Sequence, residues 1–175
     1  MDNEGKITAK GTAKTDADKK LQQAVNDKNI TVNINATSSN YTNKRHWFIG
    51  GAFGGSTIKN GKVITSQTVN PDITKKIDNF YGFSSGVSML HEAIESYIGG
   101  KDHPGAQEPT NDDVKQKTQD GEAYQDSHNQ ANAIDPRHKQ VFATRDPSTH
   151  NVYLNKYDPN FDFGSPNPQE FLFKY

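Results

Sequence analysis

The alternation of apolar and polar side chains predicts strands in the first part of the chain. Residues 30–35 alternate apolar and polar without interruption, which is typical of a strand with one buried face. Two further short segments, 57–59 and 62–65, flank Asn60-Gly61. An Asn-Gly pair readily adopts the positive φ angles that a type I′ hairpin turn requires. We therefore expect a strand followed by a β-hairpin.

Helical spacing of apolar residues predicts four helices. Asn70 and Pro71 are typical of a helix start, and Ser84 or Ser85 can cap the helix that follows. We expect Gly99-Gly100 to end that helix in a left-handed conformation. Together with the predicted strands, these helices give an expected α+β fold. The four predicted segments are residues 16–25, 70–80, 84–98 and 121–134.

The segments between and after these elements are more polar. Residues 99–120 are rich in Gly, Pro, Asp and Lys and are long enough to form a surface excursion or a lid. Residues 140–144 and 152–154 predict a second hairpin. Residues 159–175 combine several Pro and Asn with aromatic side chains, so we expect them to pack as an irregular arm.

The composition fits one domain with a modest core. Only 31% of the residues are hydrophobic, and the mean hydropathy is -0.94. Nine Phe, seven Tyr and one Trp can nevertheless bury large areas, which favours a small aromatic-rich core. A chain of 175 residues suits one compact unit. We expect residues 1–14 to be a flexible N-terminal tail and residues 15–175 to form a single domain.

Charge and residue usage exclude several classes of function. The 20 basic and 21 acidic residues give a net charge of -1, so nucleic acid is not an expected partner. No apolar run is long enough to span a bilayer, and the first residues lack the basic start and apolar stretch of a signal peptide. The chain has no cysteine, which leaves His, Asp and Glu as its strong metal ligands.

The sequence His91-Glu92-Ala93-Ile94-Glu95 is the strongest candidate for chemistry. His91 and Glu95 are four residues apart on a predicted helix, so both side chains lie on one face and can bind one cation. Glu92 points about 100° away from His91 and can act as a general base. In the commoner motif H-E-x-x-H the second ligand is a histidine, whereas here it is a carboxylate.

A third ligand has to come from elsewhere in the chain, and His128 is the best candidate. It lies on a later predicted helix, with Tyr124 one turn earlier on the same face. Three protein ligands and an open fourth position are typical of catalytic zinc. Tyr124 can donate a hydrogen bond to a developing oxyanion, and so can Tyr97, which is equally well placed for the core. His103 is the alternative third ligand.

A plainer interpretation of the same residues remains open. Glu92 and Glu95 can be solvated surface residues, with His91 a half-buried histidine bonded to backbone. Glu122 and Asp126 can orient a ligand or can simply be solvated. The histidines outside the motif are expected to face solvent, namely His46, His103, His138 and His150.

Residues 88–97 and the later Tyr124 with 127–131 resemble the zincin-like metallopeptidase domains at the C-terminal ends of Rhs-type and other bacterial polymorphic toxins or secreted effectors. The pattern of that family is H-E-x-x-E-A-Y followed by Y-x-x-A-H-N-x-A. This chain has Ser96 and Ser127 at the alanine positions, and neither change touches a ligand. The similarity covers roughly residues 50–155.

The resemblance implies a zincin-like fold, with a small mixed or antiparallel sheet, an active-site helix and a second ligand-bearing helix. It also implies an edge strand that aligns an extended peptide, for which residues 62–68 are the candidate. We expect a zinc peptidase that is a secreted or delivered effector, and otherwise a cytoplasmic protein. Its partners would be a protein or peptide substrate, with an immunity protein or secretion apparatus in addition. The alternatives are a metal-dependent nuclease toxin and a non-catalytic binding domain.

Overall fold

The computed structural model describes residues 11–42, 46–156 and 169–175, so most of the predicted N-terminal tail lies outside the described residues. The described residues form an α+β fold of helices and two small sheets, which confirms the predicted class. The helices are α1 (Asp16–Asn26), α2 (Pro71–Tyr81), α3 (Val87–Asp102), α4 (Asn111–Gln116) and α5 (Gln119–Ile134). The strands are β1 (Ile30–Ala36), β2 (Gly51–Lys59), β3 (Lys62–Val69), β4 (Phe142–Asp146), β5 (Asn151–Asn155) and β6 (Gln169–Lys174).

The first sheet has the strand order β1-β3-β2. Strand β3 pairs with β1 in parallel and with β2 in antiparallel orientation. The β2–β3 hairpin turns at Asn60 and Gly61, whose φ angles of 52° and 72° are those of the predicted type I′ turn. The prediction that β3 provides an edge for a peptide is wrong, because strands occupy both of its sides.

Helix α3 packs across this sheet and differs at both ends from its prediction. Its N-cap is Gly86, at φ 91°, with no side-chain cap, so neither Ser84 nor Ser85 caps it. Asp78 of α2 caps the helix instead. Its carboxylate accepts hydrogen bonds from the backbone N–H groups of Gly86 and Ser88, at 2.7 and 2.9 Å. A buried carboxylate at a helix N-terminus is favoured by both the free N–H groups and the helix dipole.

The Gly99-Gly100 pair does not end α3, which continues to Asp102. A side chain at Gly99 would collide with the ring of Phe53 on β2, and one at Gly100 would press on Thr65 of β3. Both glycines therefore allow the helix to approach the sheet closely. Tertiary packing explains these glycines, and the expected left-handed stop was wrong.

The later elements follow the predicted order with two differences. Residues 99–120 include α4, and α5 begins at Gln119 behind the N-cap Thr118, earlier than predicted. The second hairpin is formed by β4 and β5, as predicted. Of the expected irregular arm, residues 159–168 lie outside the described residues, and β6 adds a regular strand to β5.

Two of the apolar clusters among the described residues position the main elements. The sheet β4-β5-β6 packs against α2 through an apolar cluster made of Ile73, Ile77, Val152, Leu154, Leu172 and Phe173. Helices α1, α3 and α5 meet around Ala17, Ile94, Ile98 and Ala131. This second packing joins α5 to α3 and so determines which residues of the two helices face each other. Among the described residues, none of the helices has the length and apolar character needed to cross a membrane.

Candidate metal centre and catalytic site

Helices α3 and α5 bring the three predicted metal ligands together. His91 and Glu95 lie one turn apart on α3, and Nε2 of His91 is 3.7 Å from Oε2 of Glu95. His128 of α5 places Nδ1 at 2.7 Å from the same carboxylate oxygen. One ligand atom from each residue lies within 4.8 Å of the other two. The group is therefore compact enough to hold a single metal ion.

Burial excludes the plainer interpretation of the motif as a solvated surface. His91 is 0% exposed, Glu92 5% and Glu95 2%. Among the described residues, neither ring nitrogen of His91 has a hydrogen-bond partner. A buried polar atom without a partner is costly, and a cation at Nε2 would remove half of that cost. The residues present thus fit a bound metal.

The pKa values show how strongly the ligands interact. Burial alone would raise the pKa of Glu95, but the hydrogen bond with His128 and the close, favourable interactions with both His128 and His91 outweigh it and lower the pKa to about 2. Burial lowers the pKa of His128, yet the contact with Glu95 more than compensates and raises it. Glu95 is therefore an anion at neutral pH, as a metal-binding carboxylate must be.

Glu92 lies beside this group but in a different environment. Its Oε2 accepts a hydrogen bond of 2.5 Å from Nε2 of Gln67 on β3. A side chain at Gly51 of β2 would collide with the Glu92 carboxylate, so the absence of one leaves room for it. Burial and the nearby charge of Glu95 raise the pKa of Glu92 well above its ordinary value, and the bond from Gln67 opposes them. Two neighbouring carboxylates thus have opposite protonation preferences.

Two buried residues of the site were not assigned by sequence reasoning. Gln67 is 0% exposed and bonds to Glu92, with a longer contact of 3.5 Å to Glu95. His138 was expected to face solvent, and this was wrong: it is 8% exposed and stacks on the ring of His91 at 3.7 Å. Burial, followed by the charges of His91 and His128, lowers the pKa of His138 to about 3.

The two candidate tyrosines have different positions. Tyr124 of α5 lines the cavity and stacks on the ring of His128 with centroids 5.8 Å apart. Burial and the charges of Glu95 and Glu92 raise its pKa, so its hydroxyl keeps the proton. Tyr97 is fully buried and donates to Asp27 at 2.9 Å, so it belongs to the core.

The other candidates do not join the group. His103, the alternative third ligand, contacts Asp126 at 2.8 Å instead. Glu122 is exposed on α5, as the solvated alternative expected. His150 is also exposed, whereas His46 lies half-buried in the wall of the cavity.

A cavity of about 380 Å³ opens beside the metal ligands. Glu92, Glu95 and His128 line one side, together with Tyr124. The rest of the lining mixes polar side chains with a group of large apolar ones, and the apolar group suits the side chain of a substrate. The apolar lining residues are Trp47, Phe48, Ile49, Phe53, Val114 and Val141.

Strand β2 brings a backbone edge to this cavity. Residues 51–53 line it, and apart from an isolated bridge between Gly51 and Ile49 their outer edge has no partner among the described residues. Further along β2, Ser56 donates to the carbonyl of Ala106, and Gly55 pairs with Gln107. The stretch available for strand addition is therefore short and lies next to Glu92.

Comparison of the chain with models of protein families, with curated proteins and with solved structures gives no match. The chemistry open to this chain is therefore inferred from the geometry of the site.

Proposed function

We propose that the protein is a zinc-dependent peptidase in which His91, Glu95 and His128 hold the metal and Glu92 is the general base. The single observation that carries this proposal is the buried convergence of the three ligand atoms beside a cavity that also contains Glu92. Two imidazoles and one carboxylate are a common ligand set of catalytic zinc. A bound zinc ion would supply Lewis acidity, polarising the substrate carbonyl and lowering the pKa of a water molecule.

The chain's own residues perform the proton transfers. Gln67 donates a hydrogen bond to Oε2 of Glu92, so the other carboxylate oxygen, Oε1, is the one that accepts a proton from the attacking water. Glu92 then returns that proton to the nitrogen of the leaving amine. A carboxylate whose pKa is raised by burial holds a proton well enough to return it. Tyr124 keeps its hydroxyl proton and donates a hydrogen bond to the oxygen on which negative charge develops.

The shape of the site favours a peptide as the substrate. A strand edge at residues 51–53 can hydrogen-bond the backbone of an extended peptide, and the apolar cavity walls can accept its side chains. The near-neutral chain offers no field for a polyanion, so we do not propose the nuclease alternative. Glu92 faces the cavity beside the ligands, which counts against the non-catalytic binding domain.

The proposal is tested by metal content and hydrolysis together. We expect native protein to retain one zinc ion per chain, and Glu95→Ala and His128→Ala variants to retain much less. A Glu92→Gln variant should keep its zinc and lose hydrolysis of a peptide library by about 10²- to 10⁴-fold. His103→Ala is the matched control. His103 lies at the end of α3 and contacts Asp126, so its removal leaves the three candidate ligands in place. Full zinc retention by both ligand variants, or an unchanged rate for Glu92→Gln, would contradict the proposal.

The biological setting follows from the family resemblance alone. We propose that the domain is a secreted or delivered bacterial effector or toxin whose target is a protein, with an immunity protein or a secretion apparatus as further partners. Expression of the native chain should then arrest a susceptible cell, and the Glu92→Gln variant should not. Equal toxicity of the two would show that hydrolysis is not the harmful activity.

A further inference from the structure

We propose that Gln67 is a positioning residue of this site, which holds the carboxylates of Glu92 and Glu95 in their separate places. This inference rests on the proposed function and extends it to a residue on the sheet. The observation behind it is one amide group that lies between two buried carboxylates. Nε2 of Gln67 is 2.5 Å from Oε2 of Glu92 and 3.5 Å from Oε1 of Glu95.

The backbone of Gln67 is fixed on both sides. It lies in the central strand β3, opposite Ile34 of β1 and Phe53 of β2. A residue with paired neighbours on each side cannot shift without breaking a ladder of hydrogen bonds. Its fully buried side chain projects from the face of the sheet that α3 covers. The sheet thus provides a rigid support for an amide that reaches the helix.

The chemical nature of the side chain suits this task. A primary amide offers two N–H donors, and a carboxyl oxygen can accept a hydrogen bond whether or not the group is ionised. Gln67 can therefore satisfy both glutamates without adding a positive charge that would compete with a metal for Glu95. Its own Oε1 has no hydrogen-bond partner among the described residues. A buried amide oxygen left without a donor costs free energy, so packing and stability alone do not explain a glutamine here.

The position of Glu92 shows what would be lost without this contact. Glu92 is three residues from Glu95 on the same helix, and its side chain has room only because residue 51 is a glycine. The bond from Gln67 is the hydrogen bond that the described residues provide to its carboxylate. Without it, the carboxylate is free to rotate toward the metal ligands, where it would act as a further ligand and no longer as a base.

Replacement of Gln67 by methionine tests the inference. Methionine has a similar length and flexibility but donates no hydrogen bond. We expect Gln67→Met to lower kcat by about 10- to 100-fold, the range found for residues that orient catalytic groups. KM for the peptide should stay within about 3-fold, because the substrate contacts are unchanged. Zinc content should remain one ion per chain.

The matched control is Thr65→Val on the same strand. Thr65 lies two residues earlier on the same buried face and is also 0% exposed, but it bonds to Ser96 and Gly55, away from the carboxylates. Thr65→Val should lower stability and leave kcat unchanged. A Gln67→Met variant with kcat within 3-fold of native, or a Thr65→Val variant with an equal loss of kcat, would overturn the inference.

Two further measurements keep the result interpretable. Gln67→Glu preserves shape and replaces the donor by an acceptor, so it should lose at least as much kcat as Gln67→Met even if the methionine variant folds poorly. Visible absorption of the cobalt-substituted protein reports the metal environment without any substrate. Gln67→Met should change that spectrum through Glu95, and Thr65→Val should not. If native protein cleaves no peptide, the proposed function fails, whereas an unchanged cobalt spectrum overturns the role of Gln67.

Discussion

The two sheets of this protein have interiors of opposite character. Between β4-β5-β6 and α2, the buried side chains are apolar, and Val152 and Leu154 are both 0% exposed. Between β1-β3-β2 and α3, the buried side chains are largely polar. They include Thr65, Gln67, His91, Glu92, Glu95 and Ser96, each at most 5% exposed.

The difference separates the half of the molecule that stabilises the fold from the half that holds the candidate metal ligands and the proposed catalytic residue. Apolar burial contributes free energy of folding in proportion to area, without demands on geometry. Buried polar groups stabilise only when their partners are present, and several atoms of the site have none among the described residues. The apolar half therefore offsets the cost of the polar half. Mutations should separate the two roles.

The largest expected effect is on stability, from Leu154→Ala in the apolar half. Leu154 of β5 is 0% exposed and belongs to the apolar cluster against α2, and truncation of such a residue costs about 2–5 kcal/mol of unfolding free energy. Urea denaturation of the metal-free protein measures this loss. Zinc affinity of the folded fraction should be unchanged. A loss of zinc affinity in Leu154→Ala would mean that the two halves are coupled and not separate.

The next effect is on catalysis, from Gly51→Ala in the polar half. A methyl group at residue 51 would occupy the place of the Glu92 carboxylate, which must then move. We expect kcat to fall about 100-fold, equivalent to about 2.7 kcal/mol in the activation barrier. Zinc content should remain that of native protein, because the atoms nearest to a side chain at this position all belong to Glu92 and not to a candidate metal ligand.

Gly61→Ala in the same hairpin is the control for that variant. Gly61 has φ 72° and faces open space at the turn, so alanine costs about 1–2 kcal/mol in backbone strain alone. It should lower stability and leave kcat as it is. The separation of the two halves would be wrong if Gly51→Ala retained full activity while Gly61→Ala lost it.

The comparison also explains which parts of the site could be predicted from sequence. His91 and Glu95 lie four residues apart on one helix, and local periodicity alone fixes their shared face. The Asn60-Gly61 turn is equally local, because it depends on the φ angles of two residues. His128 required a resemblance or a choice among histidines, since its partner is 33 residues away.

The parts that were missed depend on tertiary packing. Gln67 is one of the alternate residues of β3 that face the interior. Its role depends on β3 being the central strand of the sheet, and local alternation does not encode the order of strands. Alternation around Gln67 was the one signal that could have drawn attention to it. His138 lies in a short 3-10 turn between α5 and β4, and no periodicity predicts that it stacks on His91. The prediction that Gly99 ends the helix was wrong because the glycine has a different role: a side chain there would collide with the ring of Phe53 on the sheet.

His138 provides a smaller test, at the junction of the two halves. Nδ1 of His91 has no hydrogen-bond partner among the described residues, so the ring is oriented by packing, and the ring of His138 stacks directly on it. We expect His138→Ala to weaken zinc affinity about 10- to 100-fold, as removal of an orienting neighbour does. Competition with a chelator measures the affinity. His138→Phe keeps an aromatic face and should recover most of it, and a phenylalanine variant as weak as the alanine variant would contradict this role.

The smallest expected effect comes from Tyr97→Phe, and it tests the boundary of the polar half. Tyr97 is on α3 with the metal ligands, yet its hydroxyl donates to Asp27, at the end of α1, and does not face the cavity. Loss of one such hydrogen bond costs about 0.5–1.5 kcal/mol of unfolding free energy. Zinc content and kcat should stay at native values, because the hydrogen bond of Tyr97 points away from the carboxylates of Glu92 and Glu95 and has a structural role. A fall in kcat without a fall in stability would instead assign Tyr97 to the catalytic group and extend the polar half of the site along the whole of α3.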